Sequence, residues 1–214
     1  MTRTHSSGTE AAQAEVVCVV IHGRGQRPED MVAMITRHID APAVRFVLPA
    51  APTGSWYDAR AIDPLTDRTR VQLGAALDRI AATVAAAQAD APAARLVLAG
   101  FSQGACLAVE YLMRHGPWAG AVALFTGCRV GARGDGLPVA TLGGMPVYAS
   151  CGDADPWIPA ASFYDMLADL TTAGARIRAD MFPGRPHMVT GTEVQELADM
   201  LADVASGQSP QWGA

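Results

Sequence analysis

Ser102 lies in Gly100-Phe-Ser-Gln-Gly104, a G-x-S-x-G pattern. The apolar run Arg95–Ala99 leads into it, and the helix-forming stretch Ala105-Cys-Leu-Ala-Val-Glu-Tyr-Leu112 leads out. A serine at such a strand-to-helix turn takes a strained backbone that presents its hydroxyl as a nucleophile, with flanking glycines leaving room for close packing. The backbone N–H of Gln103, at the helix start, then points at any developing oxyanion. A serine hydroxyl attacks poorly unless a neighbouring base takes its proton. Of five histidines, His5 is near the polar N-terminus and His38 ends a helical stretch. His115 precedes Gly116-Pro117, where a helix stops. His22 belongs to a glycine loop. His187 falls in Pro183-Gly-Arg-Pro-His-Met188, between the last strand and the last helix and after the serine in chain order, which suits a catalytic base. A third member must orient that ring and stabilise its charged form. The turn Cys151-Gly-Asp-Ala-Asp-Pro-Trp-Ile-Pro159 offers Asp153 and Asp155. Asp155 is favoured, with Asp153 suited to tightening the turn through its own backbone bonds.

A second oxyanion donor belongs to the loop after the first strand, where His22-Gly-Arg-Gly25 stands. The N–H of Arg24 pairs with that of Gln103 in this reading, and His22 anchors the loop. Pro28 occupies the place of the third glycine of a dinucleotide loop, and no carboxylate ends a second strand in Val44–Ala50, so a nicotinamide or flavin fold is not supported.

Composition removes other mechanisms. All 16 basic residues are arginine, and the chain has neither lysine nor asparagine. A Schiff-base lysine, a phosphate loop ending Gly-Lys-Ser/Thr and a Cys-His-Asn triad are therefore excluded. The net charge of −5 opposes a nucleic-acid partner, which requires a basic face. No 18-residue apolar run is present to span a membrane, and Met1–Glu15 lacks the apolar core of a secretory signal, so a cytoplasmic location is expected. Cys18, Cys106, Cys128 and Cys151 form no Cys-x-x-Cys pair and read as buried free thiols. No histidine pair has metal-ligand spacing, and no metal is expected.

The elements that must position these residues alternate. Val16–Ile21, Val44–Leu48, Arg95–Ala99, Ala119–Thr126 and Pro146–Ser150 are short, β-branched apolar runs, as strands buried on both faces should be. Arg176–Phe182 alternates more and suits a sheet edge. Helical periods occupy Glu29–Ile39, Arg68–Ala89, Gln103–Arg114, Ala160–Ala173 and Thr192–Ala205. This order predicts an α/β fold, a mostly parallel six-stranded sheet with helices on both faces. A flexible tail is expected over 1–14, a single domain over 15–206 with no separate cap domain, and a C-terminal tail over 207–214. Pro52–Asp67 and Gly127–Gly144 are long loops without periodicity, and so candidate pocket walls.

Taken together, His-Gly-x-Gly at 22–25, Ala-Pro-Thr-Gly-Ser-Trp-Tyr-Asp at 51–58, Gly-Phe-Ser-Gln-Gly at 100–104, Gly-Asp-Ala-Asp-Pro-x-Ile-Pro at 152–159 and the late His187 resemble the phospholipase/carboxylesterase family, which includes acyl-protein thioesterase-like hydrolases. The resemblance runs from Val16 to about Ala205. It implies a compact α/β-hydrolase with the six strands in spatial order 2-1-3-4-5-6, and cofactor-free hydrolysis of carboxylic esters or thioesters. By position, Ser102 is the nucleophile, Asp155 the acid, His187 the base, and Arg24 and Gln103 the oxyanion donors. Pro186 precedes the base where the family usually has glycine, which stiffens that loop. Trp157 replaces a smaller aliphatic residue.

Trp56, Tyr57 and Trp157 are candidate pocket residues, with loop-anchoring aromatics packed on the core as the other reading. Gly127–Gly144 has no long apolar stretch suited to a lipid channel. The expectation is a serine carboxylesterase acting on small esters with short-to-medium acyl groups. An acyl thioesterase or lysophospholipase with the same triad, and a catalytically silent hydrolase-like binding protein, are the alternatives. An apolar rim would allow a homodimer.

Overall fold

Val16-Val-Cys-Val-Val-Ile21 is the most apolar run of the chain's first half, and burying it on both faces requires strands beside it and helices above and below. In the computed structural model, which describes residues 4–212, all six of these residues are fully buried. The elements in chain order are β1 (Thr4–Gly8), β2 (Val16–Ile21), α1 (Pro28–Met34), β3 (Val44–Pro49), α2 (Asp67–Asp90), β4 (Arg95–Phe101), α3 (Gln103–His115), β5 (Gly120–Phe125), β6 (Pro146–Gly152), α4 (Ala160–Thr172), β7 (Arg176–Phe182) and α5 (Gly191–Ala205). They form one sheet in the order β1-β3-β2-β4-β5-β6-β7. All pairings are parallel except β1 with β3. This is the α/β-hydrolase fold class, with strands β2 to β7 in the order expected for six.

Alternate residues of the strands feed two cores. Val17, Val19 and Ile21 pack with α2, α3 and α4 on one face. Val16, Cys18 and Val20 pack with α1 and α5 on the other. Helix α3 is the most enclosed of the helices, with every residue from Gln103 to Met113 buried.

Three expectations require correction. The sheet has seven strands rather than six. Residues 4–8, expected within a flexible tail, pair antiparallel with β3 from Thr4↔Pro49 to Gly8↔Arg45. Thr-His-Ser-Ser-Gly carries no hydrophobic signal because this edge strand contributes main-chain hydrogen bonds more than buried side chains. The helix expected over Glu29–Ile39 stops at Met34, where Ile35 leaves helical geometry (φ −128°, ψ −72°) and a 3-10 turn follows at Thr36–His38. Beyond α5, Ser209 Oγ and the Pro210 carbonyl accept from Arg176 of β7 (2.6 and 2.8 Å).

The two long loops lie against each other. Gly131 N–H donates to Ala61 O (2.7 Å), and Leu65 N–H to an Asp135 carboxylate oxygen (2.9 Å). The Gly127–Gly144 loop is also tied to α3 by Arg129, whose buried guanidinium meets the fully buried Glu110 at 2.7 Å. No helix among the described residues is long and apolar enough to cross a membrane.

Candidate active site

β4 runs into α3 with only Ser102 between them, and the chain reverses there through φ +56°, ψ −121°. A residue with a Cβ rarely adopts such a backbone, at a cost of about 1–3 kcal/mol. The flanking glycines are required by close approach. A Cβ on Gly104 would stand 2.1 Å from the Ile21 carbonyl oxygen, and one on Gly100 would stand 2.4 Å from the Gly104 carbonyl. The tight packing of α3 against β2 and β4 thus holds the Ser102 hydroxyl out at the carboxyl end of the sheet.

His187 Nε2 lies 2.8 Å from Ser102 Oγ, and His187 Nδ1 lies 2.7 Å from Asp155 Oδ2. With the proton on Nδ1 donated to Asp155, Nε2 is free to accept from the serine hydroxyl. The other oxygen of Asp155 accepts from the N–H of Trp157 (2.8 Å) and Ile158 (2.9 Å). Burial pushes the Asp155 carboxyl up, but the hydrogen bonds from His187, Ile158 and Trp157 outweigh it and hold the group below its ordinary value. Asp153 does not touch His187. Its Oδ1 accepts from Gly184 N–H (2.5 Å) and tightens the loop that carries His187.

That loop is built on buried charge. Arg185, two residues before His187, pairs with the fully buried Glu193 and donates to Thr126 Oγ1 (3.2 Å). Glu193 also accepts from Ser150 Oγ and from Thr190 N–H (2.7 Å) and Oγ1 (2.9 Å). Pro186 is exposed in this loop, and the Phe101 ring lies 5.1 Å from the His187 ring, centroid to centroid.

The loop after β2 passes over the serine. A Cβ on Gly23 would stand 3.1 Å from the Ser102 Cβ. Gly23 N–H donates to Gln26 Oε1 (2.9 Å), and Gly25 N–H to Gly54 O (2.7 Å), which fixes Arg24 between two tethered glycines. The N–H groups of Arg24 and Gln103 donate to no other group among the described residues. His22 lies beneath, its Nδ1 bonded to Gly23 O (2.7 Å) and its Nε2 accepting from Ala51 N–H (3.0 Å). Burial lowers its pKa from 6.5. The Gln103 side chain accepts from Trp56 N–H (2.9 Å) and donates to Tyr57 O (2.8 Å), joining α3 to the loop before α2.

A cavity of about 250 Å³ opens beside Ser102 and His187, bordered by Arg24, Tyr57, Cys106, Trp157 and Ile158 among others. Of the three candidate pocket aromatics, Tyr57 and Trp157 border it, the latter 61% exposed at the rim. Trp56 does not: it is packed in the core, with Nε1 donating to His22 O (2.9 Å). Among the described residues, no group of three or more His, Cys, Asp or Glu is placed to hold a metal ion. The four cysteines are free and buried.

Residues 6–205 match the family described as Phospholipase/Carboxylesterase. Among curated proteins, acyl-protein thioesterase 1 of Mycosarcoma maydis is 27% identical over 88% of this chain and 90% of its own. Acyl-protein thioesterase 1 of Cryptococcus neoformans is 28% identical over 76% of this chain and 80% of its own. Among solved structures, a phospholipase/carboxylesterase from Dyadobacter fermentans superposes with a TM-score of 0.85 at 27% identity, covering 94% of this chain and 97% of that one. A Bacillus cereus carboxylesterase shares the fold with a TM-score of 0.76 at 18% identity, covering 95% of each chain.

Proposed function

Since this chain belongs to the phospholipase/carboxylesterase family of ester hydrolases, we propose that it is a serine carboxylesterase acting through Ser102, His187 and Asp155 on esters with short-to-medium acyl groups. The observation that carries this reading is the continuous hydrogen-bonded line from Ser102 Oγ through His187 to Asp155, 2.8 and 2.7 Å, on a serine held at φ +56°. His187 Nε2 takes the hydroxyl proton as Oγ attacks the ester carbonyl. Asp155 holds the ring and stabilises the imidazolium that forms. The tetrahedral oxyanion is received by the N–H groups of Arg24 and Gln103, each such donor being worth about 3–4 kcal/mol in a comparable enzyme. His187 then protonates the leaving alcohol, and water, activated by the same ring, releases the acyl group.

The short acyl range rests on size. A cavity of about 250 Å³ is smaller than the roughly 300–1,000 Å³ of sites that enclose a drug-sized ligand. The relatives named acyl-protein thioesterase favour a second reading, hydrolysis of long-chain thioesters.

The test is a series of 4-nitrophenyl esters from acetate to palmitate, with Ser102→Ala run alongside. The wild type is expected to peak at or below about eight carbons, and the alanine variant to lose on the order of 10⁶-fold in kcat. A rate still rising at palmitate would overturn the short-acyl assignment in favour of the thioesterase reading. Activity that survives in Ser102→Ala would overturn the nucleophile. Asp155→Asn is expected to retain the fold and lose about 10⁴-fold in kcat, because the base is then held in the wrong tautomer.

A further inference from the structure

Two residues other than glycine hold a positive φ among the described residues, Ser102 at +56° and Thr126 at +58°. A β-branched side chain fits that backbone poorly, so the conformation persists only where the surroundings over-determine it, and such residues gather at functional sites. Thr126 is fully buried, just past the end of β5. Its N–H donates to Ser150 O of β6 (2.7 Å), and the preceding carbonyl, Phe125 O, accepts from Ser102 N–H (2.9 Å). A Cβ on the following Gly127 would stand 2.6 Å from the Ala105 Cβ. The chain at 125–127 therefore lies against the turn that carries Ser102 and the start of α3.

The Thr126 side chain reaches the loop that carries His187. Its Oγ1 makes one hydrogen bond among the described residues, accepting from Arg185 Nη2 (3.2 Å). The other polar ties of residues 183–186 lead elsewhere. The Arg185 guanidinium pairs with Glu193 of α5, the loop's own continuation. Arg185 N–H donates back to Phe182 O (3.3 Å), where the loop leaves β7. Gly184 N–H goes to Asp153, and a Cβ on Gly152 would stand 2.0 Å from the Arg185 carbonyl oxygen. These last two contacts fix the loop relative to the turn that carries Asp155. The Thr126–Arg185 bond joins it instead to the end of β5, whose last carbonyl holds Ser102.

Resting on the esterase reading above, we propose that Thr126 is a positioning residue for the reaction, its hydroxyl acting through Arg185 to set the distance from His187 to Ser102. Phe125 and Thr126 are neighbours in the chain, so the carbonyl that holds the serine and the hydroxyl that holds the loop move as one unit. The 2.8 Å contact between Ser102 Oγ and His187 Nε2 depends on that shared frame. The positive φ lets Thr126 keep its N–H on β6 while its side chain reaches Arg185. Proton transfer is sensitive to such placement, since a shift of about 1 Å can cost on the order of 10²-fold in rate.

The test deletes the hydroxyl in two ways and keeps it in a third variant. Thr126→Gly removes it while relieving the backbone, Thr126→Val removes it while keeping the branched shape, and Thr126→Ser retains it. Two rates are taken per folded protein, with the folded fraction read from urea curves. One is hydrolysis of 4-nitrophenyl acetate; the other is phosphonylation of Ser102 by a fluorophosphonate, which needs the Ser102–His187 contact but no deacylation. Thr126→Gly and Thr126→Val are expected to lose about 10- to 100-fold in kcat and in phosphonylation, with KM changed less than about threefold and Thr126→Ser within about threefold of the wild type throughout. Thr126→Gly, which suits the backbone, decides the question should the valine variant not fold. Wild-type rates in Thr126→Gly, with or without a lower urea midpoint, overturn the inference, as does a loss in Thr126→Ser as large as that in Thr126→Gly. A wild type that reacts with neither the ester nor the fluorophosphonate overturns the esterase reading on which it rests.

Discussion

At the scale of single residues, His187 is only as well placed as the loop that carries it. Arg185 and Glu193 hold that loop with a buried ion pair. Removing one partner of such a pair strands the other charge and costs about 3–5 kcal/mol. Arg185→Met is therefore expected to shift the urea midpoint strongly downward and to lower kcat more than it raises KM. Arg185→Lys should recover part of both, and a midpoint unchanged in Arg185→Met would remove Arg185 from this role. The turns carrying Ser102 and Asp155 and the loop carrying His187 were legible because their chain order and glycine-proline punctuation mark the sheet end at which the three side chains meet. Trp56 and Tyr57 were not separable in that way: adjacent in one loop, they face a buried carbonyl and a cavity respectively. Arg185 carried no signal at all, although Thr190-x-x-Glu193 has the spacing of a helix capping box, which the structure contains.

At the scale of elements, α3 lies so close to β2 that one methyl group cannot be added at the contact. Gly104→Ala would place a Cβ 2.1 Å from a main-chain oxygen that cannot swing aside. It is expected to destabilise the protein by at least about 3 kcal/mol or to prevent soluble expression. Gly74, inside α2, is the contrast: a Cβ there meets nothing within 4 Å. Gly74→Ala is expected to raise stability by about 0.5–1 kcal/mol through helix propensity alone. Urea denaturation of the two variants beside the wild type checks both signs, and equal effects would contradict the packing argument. The central strands could be read from sequence because burial on both faces demands continuous apolar runs. β1 could not, since a polar edge strand is specified by its neighbour's unpaired main chain rather than by its own side chains.

At the scale of the whole molecule, stability should vary with pH through His22. Burial lowers its folded-state pKa below the 6.5 of the unfolded chain, so over the interval between the two values the unfolded state binds more protons. Stability then falls as pH drops below about 6.5 and levels off beneath the folded value. Protonation would also cancel Nε2 as the acceptor for Ala51 N–H. Asp155 acts in a lower window: its depressed pKa contributes stability above 3.8 that is lost only as pH falls through the folded value. Urea midpoints measured between pH 7.5 and 5 should therefore decline in the wild type and decline less in His22→Gln; equal slopes would exclude His22 as the cause. The positive φ at Ser102 has a further consequence for the molecule as an evolving object. Glycine tolerates that backbone without strain, so Ser102→Gly should fold more stably than the parent and, with the proposed nucleophile gone, do no chemistry. Selection for thermal robustness alone would push this position toward glycine, and only continued demand for turnover would keep the serine there.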